Sequence, residues 1–259
     1  MLEDTSNTLV WLRPAPVVAR VAALTALMRP DGGATHLRRE ADVATYLAQC
    51  GAPVLGPSPL LPAGPHERDG RWMTFWPHID HDDSRAIAVE EAAALLRQVH
   101  EALAGYDGEL PLVAPVLVEV PQIIATLEEQ GAISASDADA LRGAWSALAP
   151  EVEALGPIQA LHGDAHVGNM LVPRGGEPLW SDFEDACVGP VAWDLACLRF
   201  HSSAFGDRAL EAYGTAVDDR QLELCLEARR LQSTAWTCLS AHRWPEFAER
   251  AEARLATYR

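Results

Sequence analysis

The stretch LHGDAHVGNML, residues 161–171, places two histidines, an aspartate and an asparagine within eleven positions. Reactive side chains gathered in so short a segment are typical of a functional loop. Two chemistries are compatible with this segment by itself. One is phosphoryl transfer assisted by Mg²⁺, and the other is hydrolysis at a transition metal bound by histidine and aspartate. The neighbouring segments have to distinguish them.

The segment NMLVPRGGEPLW, residues 169–180, brings oxygen ligands together. Its two short apolar runs flank PRGGEP, and the proline and paired glycines predict a β-hairpin. With the turn centred between the two glycines, Asn169 lies opposite Asp182, about 5 Å away across the ladder. Asp164 precedes Asn169 by five residues and can face the same point. Because Mg²⁺ prefers amide and carboxylate oxygens, this spacing favours the first chemistry.

Beyond this hairpin the sequence completes a recognisable pattern. HGDAHVGNML followed by WSDFEDACVGPVAWDLA, residues 180–196, resembles the aminoglycoside phosphotransferase and choline kinase-like family, relatives of the protein kinases. That family carries HGDxHxxNxL, a hairpin, D-[FW]-E, a glycine–proline turn and a W/Y-D-L-A helix start, in this order. The resemblance implies an α+β, bilobal protein-kinase-like fold. We expect a small β-rich N-terminal lobe with one main helix over residues 1–80. A larger, mostly helical lobe over residues 81–259 would hold the catalytic loop, metal site and acceptor site.

The resemblance also implies roles for individual residues. Asp164 is expected to be the catalytic base that accepts or orients the proton of an acceptor hydroxyl. Asn169 and Asp182 are expected to hold Mg²⁺ against the phosphates of ATP or GTP. His162 would support the loop, and Asp194 would accept backbone hydrogen bonds from it.

The N-terminal lobe resembles the family less specifically. TSNTLVWL, residues 5–12, is similar to the hairpin that covers the nucleotide, although it has no GxGxxG, so phosphate contacts are expected from backbone N–H groups near Ser6 and Asn7. Arg20 occupies the position where relatives carry a phosphate-pairing lysine. Glu40 is its expected ion-pair partner, and a solvated helix surface is the other interpretation of LRRE.

The segment MTFWPHID, residues 73–80, is the expected hinge between the lobes. The Trp76 carbonyl and the His78 N–H are predicted to bind the adenine edge, because Pro77 has no N–H. Only six residues precede Asn7. The resemblance therefore predicts either a minimal first strand or a start site upstream of this methionine.

Composition limits the partners. A formal net charge of −17 argues against nucleic acid, which requires a basic surface, and suits a cationic or amine-bearing acceptor. Acceptor specificity is expected in the helical segments 105–155 and 200–259. An ordinary solvated surface is the other interpretation of the acidic residues there: Glu211, Asp218, Asp219, Glu223 and Glu227.

Compartment and secondary structure follow from local patterns. Five cysteines without a CxxC pair, an acidic N-terminus and no long apolar run predict a cytoplasmic protein without a membrane span. The sequence does not determine an oligomeric state. Strands are predicted at TLVWL, VVARV and RWMTFW. Helices are predicted over HLRREADVATYLAQC, from Ser84 to Gly105, over 122–130, from Ser134 or Ser136 to 149, and along 219–244.

The sequence therefore predicts a kinase that transfers the γ-phosphoryl group of a nucleotide to a hydroxyl of a small molecule. Two alternatives stay open. A nucleotide-binding pseudokinase that regulates a partner is compatible with arginine at position 20. A metal-dependent hydrolase would use His162, Asp164 and His166 as ligands.

Overall fold

The computed structural model describes residues 2–4, 7–24, 26, 29, 31–82, 84–202, 204–214 and 216–259. Its N-terminal part is built on a five-stranded antiparallel sheet in the order β1-β2-β3-β5-β4. The predicted strands TLVWL, VVARV and RWMTFW are all present in it. The strands are β1 Glu3–Asp4, β2 Asn7–Trp11, β3 Val17–Ala22, β4 His66–Arg68 and β5 Arg71–Pro77.

The first helix, α1, spans Ala34–Gln49 and packs against β5. Its apolar residues recur at helical spacing, so that Leu37, Val43 and Leu47 are buried on one side. Gly51, with φ of +73°, follows the helix in the left-handed conformation that favours glycine. This helix therefore agrees with its sequence pattern.

The C-terminal part is mainly helical, and its helices surround two hydrophobic cores. One core contains the large side chains Leu96, Trp180 and Trp193, and the other contains Ile123 and Leu231. Among the described residues, no helix is long and apolar enough to span a membrane. The helices are α2 Val89–Leu103, α3 Val120–Glu129, α4 Ala135–Glu153, α5 Val191–His201, α6 Asp207–Tyr213, α7 Asp219–Arg243 and α8 Ala248–Leu255.

Two helix starts test the sequence reasoning. Ser134 caps α4, because its Oγ accepts the Asp137 N–H at 3.1 Å. The predicted start at Ser84 is wrong, since α2 begins at Val89. Ser84 instead donates both its N–H, at 3.0 Å, and its Oγ–H, at 2.6 Å, to Asp82. This local Asx turn offers the backbone an alternative to a helix.

Short elements between the helices position the site. Strand β6, Gln159–Leu161, pairs with β9, Cys187–Gly189, so that the catalytic-loop segment lies beside the WSDFED segment. The predicted hairpin is present as β7, Met170–Leu171, and β8, Leu179–Trp180.

The register of this hairpin differs from the prediction by one residue. Met170 pairs with Trp180, and the Ser181 N–H donates to the Asn169 carbonyl at 2.8 Å. Asn169 therefore lies opposite Ser181 rather than Asp182. Asp182 adopts a left-handed conformation, with φ of +67° and ψ of +58°, just beyond the strand. That conformation ends the extended strand, and Asp182 still lines the same cavity as Asn169.

Candidate active site

Two connected cavities lie beside the catalytic-loop segment. The hinge cleft, of about 830 Å³, runs between the sheet and the residues after β5 and has an apolar lining that includes Val18, Leu55, Trp76 and Leu171. The polar cavity, of about 430 Å³, is lined by Asp164, His166, Asn169, Asp182 and α7. The two cavities share Leu9, Arg20, Gly168 and Asp182.

Asp164 lies in the polar cavity beside a cation that the sequence reasoning missed. Its Oδ1 is 2.5 Å from an Nη of Arg229, and its Oδ2 is 3.5 Å from His166 Nε2. Burial opposes ionisation, but Arg229 and then His166 lower the pKa of Asp164 well below its ordinary range. The carboxylate is therefore ionised at neutral pH, which is the state that can accept a proton.

Asp194 holds the backbone of the catalytic loop. Its Oδ2 accepts the His162 N–H at 2.8 Å, and its Oδ1 accepts the Gly163 N–H at 2.9 Å. The carboxylate is fully buried and also contacts His100 Nε2 at 2.8 Å. Trp193 Nε1 donates to the Gly163 carbonyl at 2.7 Å. The start of α5 thus orients both polar groups of the Gly163 backbone.

His162 is fully buried, and both of its ring nitrogens are engaged. Nε2 donates to the Ser181 carbonyl at 3.0 Å, and Nδ1 accepts the Asp164 N–H at 3.4 Å. Burial lowers the pKa of His162 below its ordinary value, so the ring stays neutral. Neither nitrogen is available to a metal, and the described residues contain no group of three or more potential His, Cys, Asp or Glu ligands. The described residues therefore do not supply the metal ligands that the hydrolase alternative requires.

Asn169 and Asp182 fit the expected magnesium site. The Asn169 amide nitrogen donates to the Asp164 carbonyl at 2.9 Å, which leaves the amide oxygen as a ligand. Asp182 supplies a carboxylate on the wall shared by the two cavities. Such a sparse protein ligand set suits Mg²⁺, which keeps several waters and takes further oxygens from substrate phosphates.

Arg20 already contacts one of these ligands. The predicted ion pair with Glu40 is present, with 2.8 Å between Nη1 and Oε1. The other Nη lies 2.5 Å from Asp182 Oδ1 and 3.3 Å from Glu184 Oε1. Burial, together with the Arg20 contact that opposes it, leaves the pKa of Asp182 above its ordinary value. A metal ion at Asp182 would therefore compete with a guanidinium.

A second buried arginine, Arg29, was not predicted. Its guanidinium contacts Glu119 at 3.1 Å, Glu184 at 3.1 Å and Asp185 at 3.3 Å. Burial opposes ionisation of Glu184, but Arg29 and then Arg20 lower its pKa to about 2. The cluster links the segment after β3 to the WSDFED segment. Its residues lie too far apart in sequence for any local pattern to reveal it.

The hinge differs from the prediction. The His78 N–H donates to the Pro16 carbonyl at 2.9 Å and therefore cannot donate to a base. Trp76 pairs with Val18 in the ladder between β3 and β5, and it lines the hinge cleft. The next residue, Ile79, lines the cleft, and its N–H has no hydrogen-bond partner among the described residues.

The remaining nucleotide contacts predicted from sequence involve the start of β2. Ser6 lies outside the described residues. The buried Asn7 directs its amide nitrogen to both carboxylate oxygens of Glu184 at 3.4 Å and lines the polar cavity. At the other end of β2, Trp11 stacks on the His78 ring with 3.7 Å between ring centroids. These contacts attach β2 both to the WSDFED segment and to the hinge.

The acidic residues that suggested a cationic acceptor do not lie at the site. All five are exposed on the surfaces of α6 and α7 or between them, and none lines the polar cavity. They are Glu211, Asp218, Asp219, Glu223 and Glu227. The ordinary solvated surface is therefore the interpretation that their positions favour.

The sequence pattern of the phosphotransferase enzyme family matches residues 4–230. The chain belongs to this family, which agrees with its two-lobed fold and with the order of its loop segments. The predicted family resemblance and the protein-kinase-like fold are thus confirmed.

Several solved structures share the fold at low sequence identity. The amicoumacin kinase hAmiN in complex with AMP-PNP, Ca²⁺ and Ami matches with a TM-score of 0.72 and 13% identity, over 99% of this chain and 86% of that one. The choline kinase LicA from Streptococcus pneumoniae matches with 0.66 and 17%, over 98% and 90%. The GDP complex of aminoglycoside 2'-phosphotransferase-IIIa matches with 0.64 and 16%, over 100% and 90%. No curated protein matches the sequence.

Proposed function

We propose that this protein is a small-molecule kinase that transfers the γ-phosphoryl group of ATP or GTP to a hydroxyl group. The observation that carries the proposal is the convergence of Asp164, Asn169 and Asp182 on a polar cavity that opens into an apolar cleft. In this proposal residues 1–80 form the nucleotide-binding lobe, and residues 81–259 carry the catalytic loop and the acceptor site. The protein acts in the cytoplasm, where its free cysteines stay reduced.

The nucleotide lies in the hinge cleft and the acceptor in the polar cavity. The purine packs between apolar side chains such as Val18 and Leu171, and the Ile79 N–H supplies a donor for its edge. The phosphates extend to the wall shared by the two cavities, where Arg20 and the Gly168 segment lie. In this arrangement the γ-phosphorus lies between the diphosphate part of the nucleotide and the Asp164 carboxylate.

Transfer then proceeds in line. The acceptor hydroxyl oxygen forms a bond to the γ-phosphorus while the bond from phosphorus to the β,γ-bridging oxygen breaks. The bridging oxygen keeps the electron pair and leaves on ADP or GDP, and the hydroxyl proton passes to the Asp164 carboxylate. Because the lowered pKa of Asp164 makes it a weak base, its main contribution is to orient the hydroxyl.

Asn169 and Asp182 hold Mg²⁺ in this proposal, and the ion offsets the negative charge of the nucleotide phosphates. With Asp182 as a metal ligand, Arg20 would be released from it and would be free to contact phosphate oxygens, for which its planar guanidinium is suited. Glu40 keeps the arginine in place during this exchange.

Thermal unfolding with ATP, GTP or neither, each with and without Mg²⁺, tests nucleotide binding. At 100 times its dissociation constant a ligand stabilises by about 2.7 kcal/mol, which corresponds to roughly 5–10 °C for a chain of this size. A shift that depends on Mg²⁺ supports the proposal. Stabilisation by neither nucleotide contradicts it.

The Asp164→Asn variant tests the catalytic role. We expect phosphoryl transfer to fall by about 10²–10⁴-fold, while the nucleotide-dependent thermal shift persists. Asparagine keeps the size of the side chain beside Arg229, and a persisting nucleotide-dependent thermal shift shows that the variant is folded. Full activity in this variant would contradict the assigned role.

A nucleotide-binding pseudokinase remains the second candidate, because the contact between Arg20 and Asp182 occupies a metal ligand. The two candidates differ in turnover. Release of ADP or GDP in the presence of an acceptor supports the kinase, whereas a thermal shift without release on any acceptor supports the pseudokinase.

A further inference from the structure

One wall of the polar cavity is a single face of α7. Five residues of this helix line the cavity, and each lies three or four residues from at least one other member of the set: Arg229, Gln232, Ser233, Trp236 and Ser240. We call this set the α7 face. It carries no carboxylate, and it reaches Asp164 directly through Arg229. An acceptor whose hydroxyl contacts Asp164 therefore rests against the α7 face.

Arg229 is a buried cation with unused hydrogen-bonding capacity. Its side chain is 7% exposed. Its Nη atoms contact Gln232 Oε1 at 2.5 Å, His201 Nε2 at 3.0 Å and Asp164 Oδ1 at 2.5 Å. Its Nε–H is buried without a hydrogen-bond partner among the described residues. That nitrogen is closed off from the cavity, so a ligand in the cavity would contact the exposed part of the Arg229 side chain instead.

Two further side chains on this face present donors. Ser233 Oγ accepts a hydrogen bond from Arg254 at 2.5 Å, so its own hydrogen is available to the cavity. Gln232 uses its amide oxygen for Arg229, which leaves the amide NH₂ as its remaining group. Arg254 also places a second positive charge behind Ser233. The α7 face is thus cationic and rich in donors.

Each of the four described carboxylates that line the cavity contacts an arginine. Asp164 contacts Arg229, and Asp182 contacts Arg20. Glu184 contacts Arg20 and Arg29, and Asp185 contacts Arg29. Among the described residues, each carboxylate that lines the cavity is therefore within an ion pair. An ammonium group that entered the cavity would therefore have to compete with an arginine for any of these carboxylates.

We infer that the acceptor of this kinase carries an anionic group, a carboxylate or a phosphate, which binds Arg229, Gln232 and Ser233 while its hydroxyl contacts Asp164. The inference rests on the proposed function and specifies the substrate class of that site. It replaces the cationic acceptor that the net charge suggested, because the exposed acidic residues of α6 and α7 do not line this cavity.

Binding of the anionic group also makes the Asp164 carboxylate available to the acceptor hydroxyl. The ion pair between Arg229 and Asp164 engages Oδ1 of the catalytic carboxylate when no acceptor is present. An anionic group that bonds the guanidinium shares this cation and weakens its hold on Asp164. The carboxylate then accepts the hydroxyl hydrogen bond. Arg229 is thus a residue that positions the acceptor and sets specificity for its charge.

Two matched series of hydroxyl compounds test the inference. The first is glucuronate, glucose and glucosamine, and the second is glycerate, glycerol and 3-amino-1,2-propanediol. Within each series the carbon skeleton is nearly constant and the charge is negative, zero or positive. Nucleotide diphosphate release is measured for each compound with Mg²⁺ and ATP or GTP at fixed ionic strength. Binding is measured with a non-hydrolysable nucleotide. We expect the carboxylate member to have the highest kcat/KM and the tightest binding.

Variants assign the preference to the α7 face. Arg229→Gln should reduce kcat/KM for the carboxylate compound by roughly 10- to 100-fold relative to the neutral compound, the range of a hydrogen bond to a charged group. Because Arg229 also contacts Asp164, activity on every acceptor is expected to fall, and the diagnostic quantity is the ratio of kcat/KM for the carboxylate compound to that for the neutral compound, which should fall by the same factor. Arg230→Gln is the matched control, because Arg230 is exposed on the same helix and does not line the cavity. Ser233→Ala provides a milder change in case Arg229→Gln does not fold, and should weaken the same preference.

The outcomes separate the two proposals. Absence of a nucleotide-dependent thermal shift contradicts the proposed function itself. With that shift present, preference for the neutral or amino compounds, or binding of none of the six, overturns the anionic acceptor. An Arg229→Gln effect confined to the KM of the nucleotide also overturns it, because Arg229 would then bind phosphate of the donor. Loss of the carboxylate preference in Arg229→Gln or Ser233→Ala, but not in Arg230→Gln, supports it.

Discussion

Arg20 contacts Glu40, Asp182 and Glu184 at once, which a lysine at this position cannot do with the same geometry. A guanidinium offers several donors in a planar fork, whereas an ammonium is a compact point charge. The arginine therefore reaches across to the expected metal ligand. The sequence reveals the substitution, but only the structure reveals that Asp182 is its partner.

The Arg20→Lys variant should need less Mg²⁺. Lysine is expected to keep the pair with Glu40 and to release Asp182, so that the ion no longer competes with a guanidinium. We expect the half-saturating Mg²⁺ concentration to fall by roughly two- to fivefold, the effect of a partly exposed ion pair of up to about 1 kcal/mol. A Mg²⁺ titration of the thermal shift with nucleotide measures it. Arg38→Lys, at an exposed position, is the control, and equal titrations would contradict the prediction.

His162 makes the stability of the catalytic loop sensitive to acid. The neutral ring donates to Ser181 and accepts from Asp164, and protonation would remove the second hydrogen bond. Burial lowers its pKa in the folded state. Between the folded and unfolded pKa values the unfolded chain therefore binds more protons at this residue, so stability falls as the pH falls.

The pH prediction is a comparison of two proteins. Urea unfolding at about pH 7.5 and about pH 5.5 brackets the ordinary histidine pKa of about 6.5. The wild type should lose more stability between these values than His162→Gln, because glutamine does not titrate. Carboxylates contribute equally to both proteins and cancel in the difference. Identical pH dependence would show that His162 is not responsible.

At the scale of elements, the catalytic loop and the WSDFED segment meet at Gly163. Its φ is +89°, and a Cβ at this position would lie 1.8 Å from the Asp185 carbonyl oxygen. Both the conformation and the close approach exclude a side chain. The two segments can therefore lie against each other only where the sequence has glycine.

Gly163→Ala should lower the free energy of unfolding by about 2 kcal/mol or more, because the left-handed conformation costs an alanine about 1–2 kcal/mol before the clash is counted. Gly143→Ala is a control with the opposite sign. Gly143 lies within α4 with open space around it, and alanine there should stabilise by roughly 0.5–1 kcal/mol. Denaturant unfolding compares the two, and an unaffected Gly163→Ala would contradict the packing argument.

Elements were predictable to the extent that their patterns are local. Local sequence patterns predicted the helices α1, α4 and α7. These patterns, such as the spacing of apolar residues and the capping residues, lie within or next to the helices themselves. The predicted start of α2 at Ser84 is wrong because the Asp82 side chain accepts the Ser84 backbone N–H in the preceding turn. The predicted hairpin register is wrong by one residue, because the length of the turn, and not its composition, fixes which residues pair.

At the scale of the whole molecule, Arg29 joins parts of the chain that are remote in sequence. It follows β3 and contacts Glu119 next to α3 and Glu184 and Asp185 beyond β8. Burial, with the neighbouring carboxylates Glu119 and Glu184, raises the pKa of Asp185 well above its ordinary value. The arginine is thus a cation that three buried acids share.

Arg29→Met should unfold at lower denaturant concentration, with a loss of about 3–5 kcal/mol, because the carboxylates would remain buried without their cation. Their pKa values would then lie above those of the unfolded chain, so the folded variant would bind more protons and gain stability relative to wild type as the pH falls. Urea unfolding near neutral and mildly acidic pH measures both effects. Arg71→Met, at an exposed position, is the control. If the difference in unfolding free energy between variant and wild type is the same at both pH values, the electrostatic explanation is contradicted.

The sequence by itself determined the family, the hairpin beside the HGDAH segment and most helices, because these depend on residues that are close along the chain. Only the tertiary structure decided which charges meet. Arg229 reaches Asp164 from α7, Arg20 reaches Asp182, and Arg29 reaches three acids, all across large sequence separations. Net charge therefore suggested a cationic acceptor, whereas the cavity favours an anionic one. Composition counts charges, but the fold decides which of them are already paired.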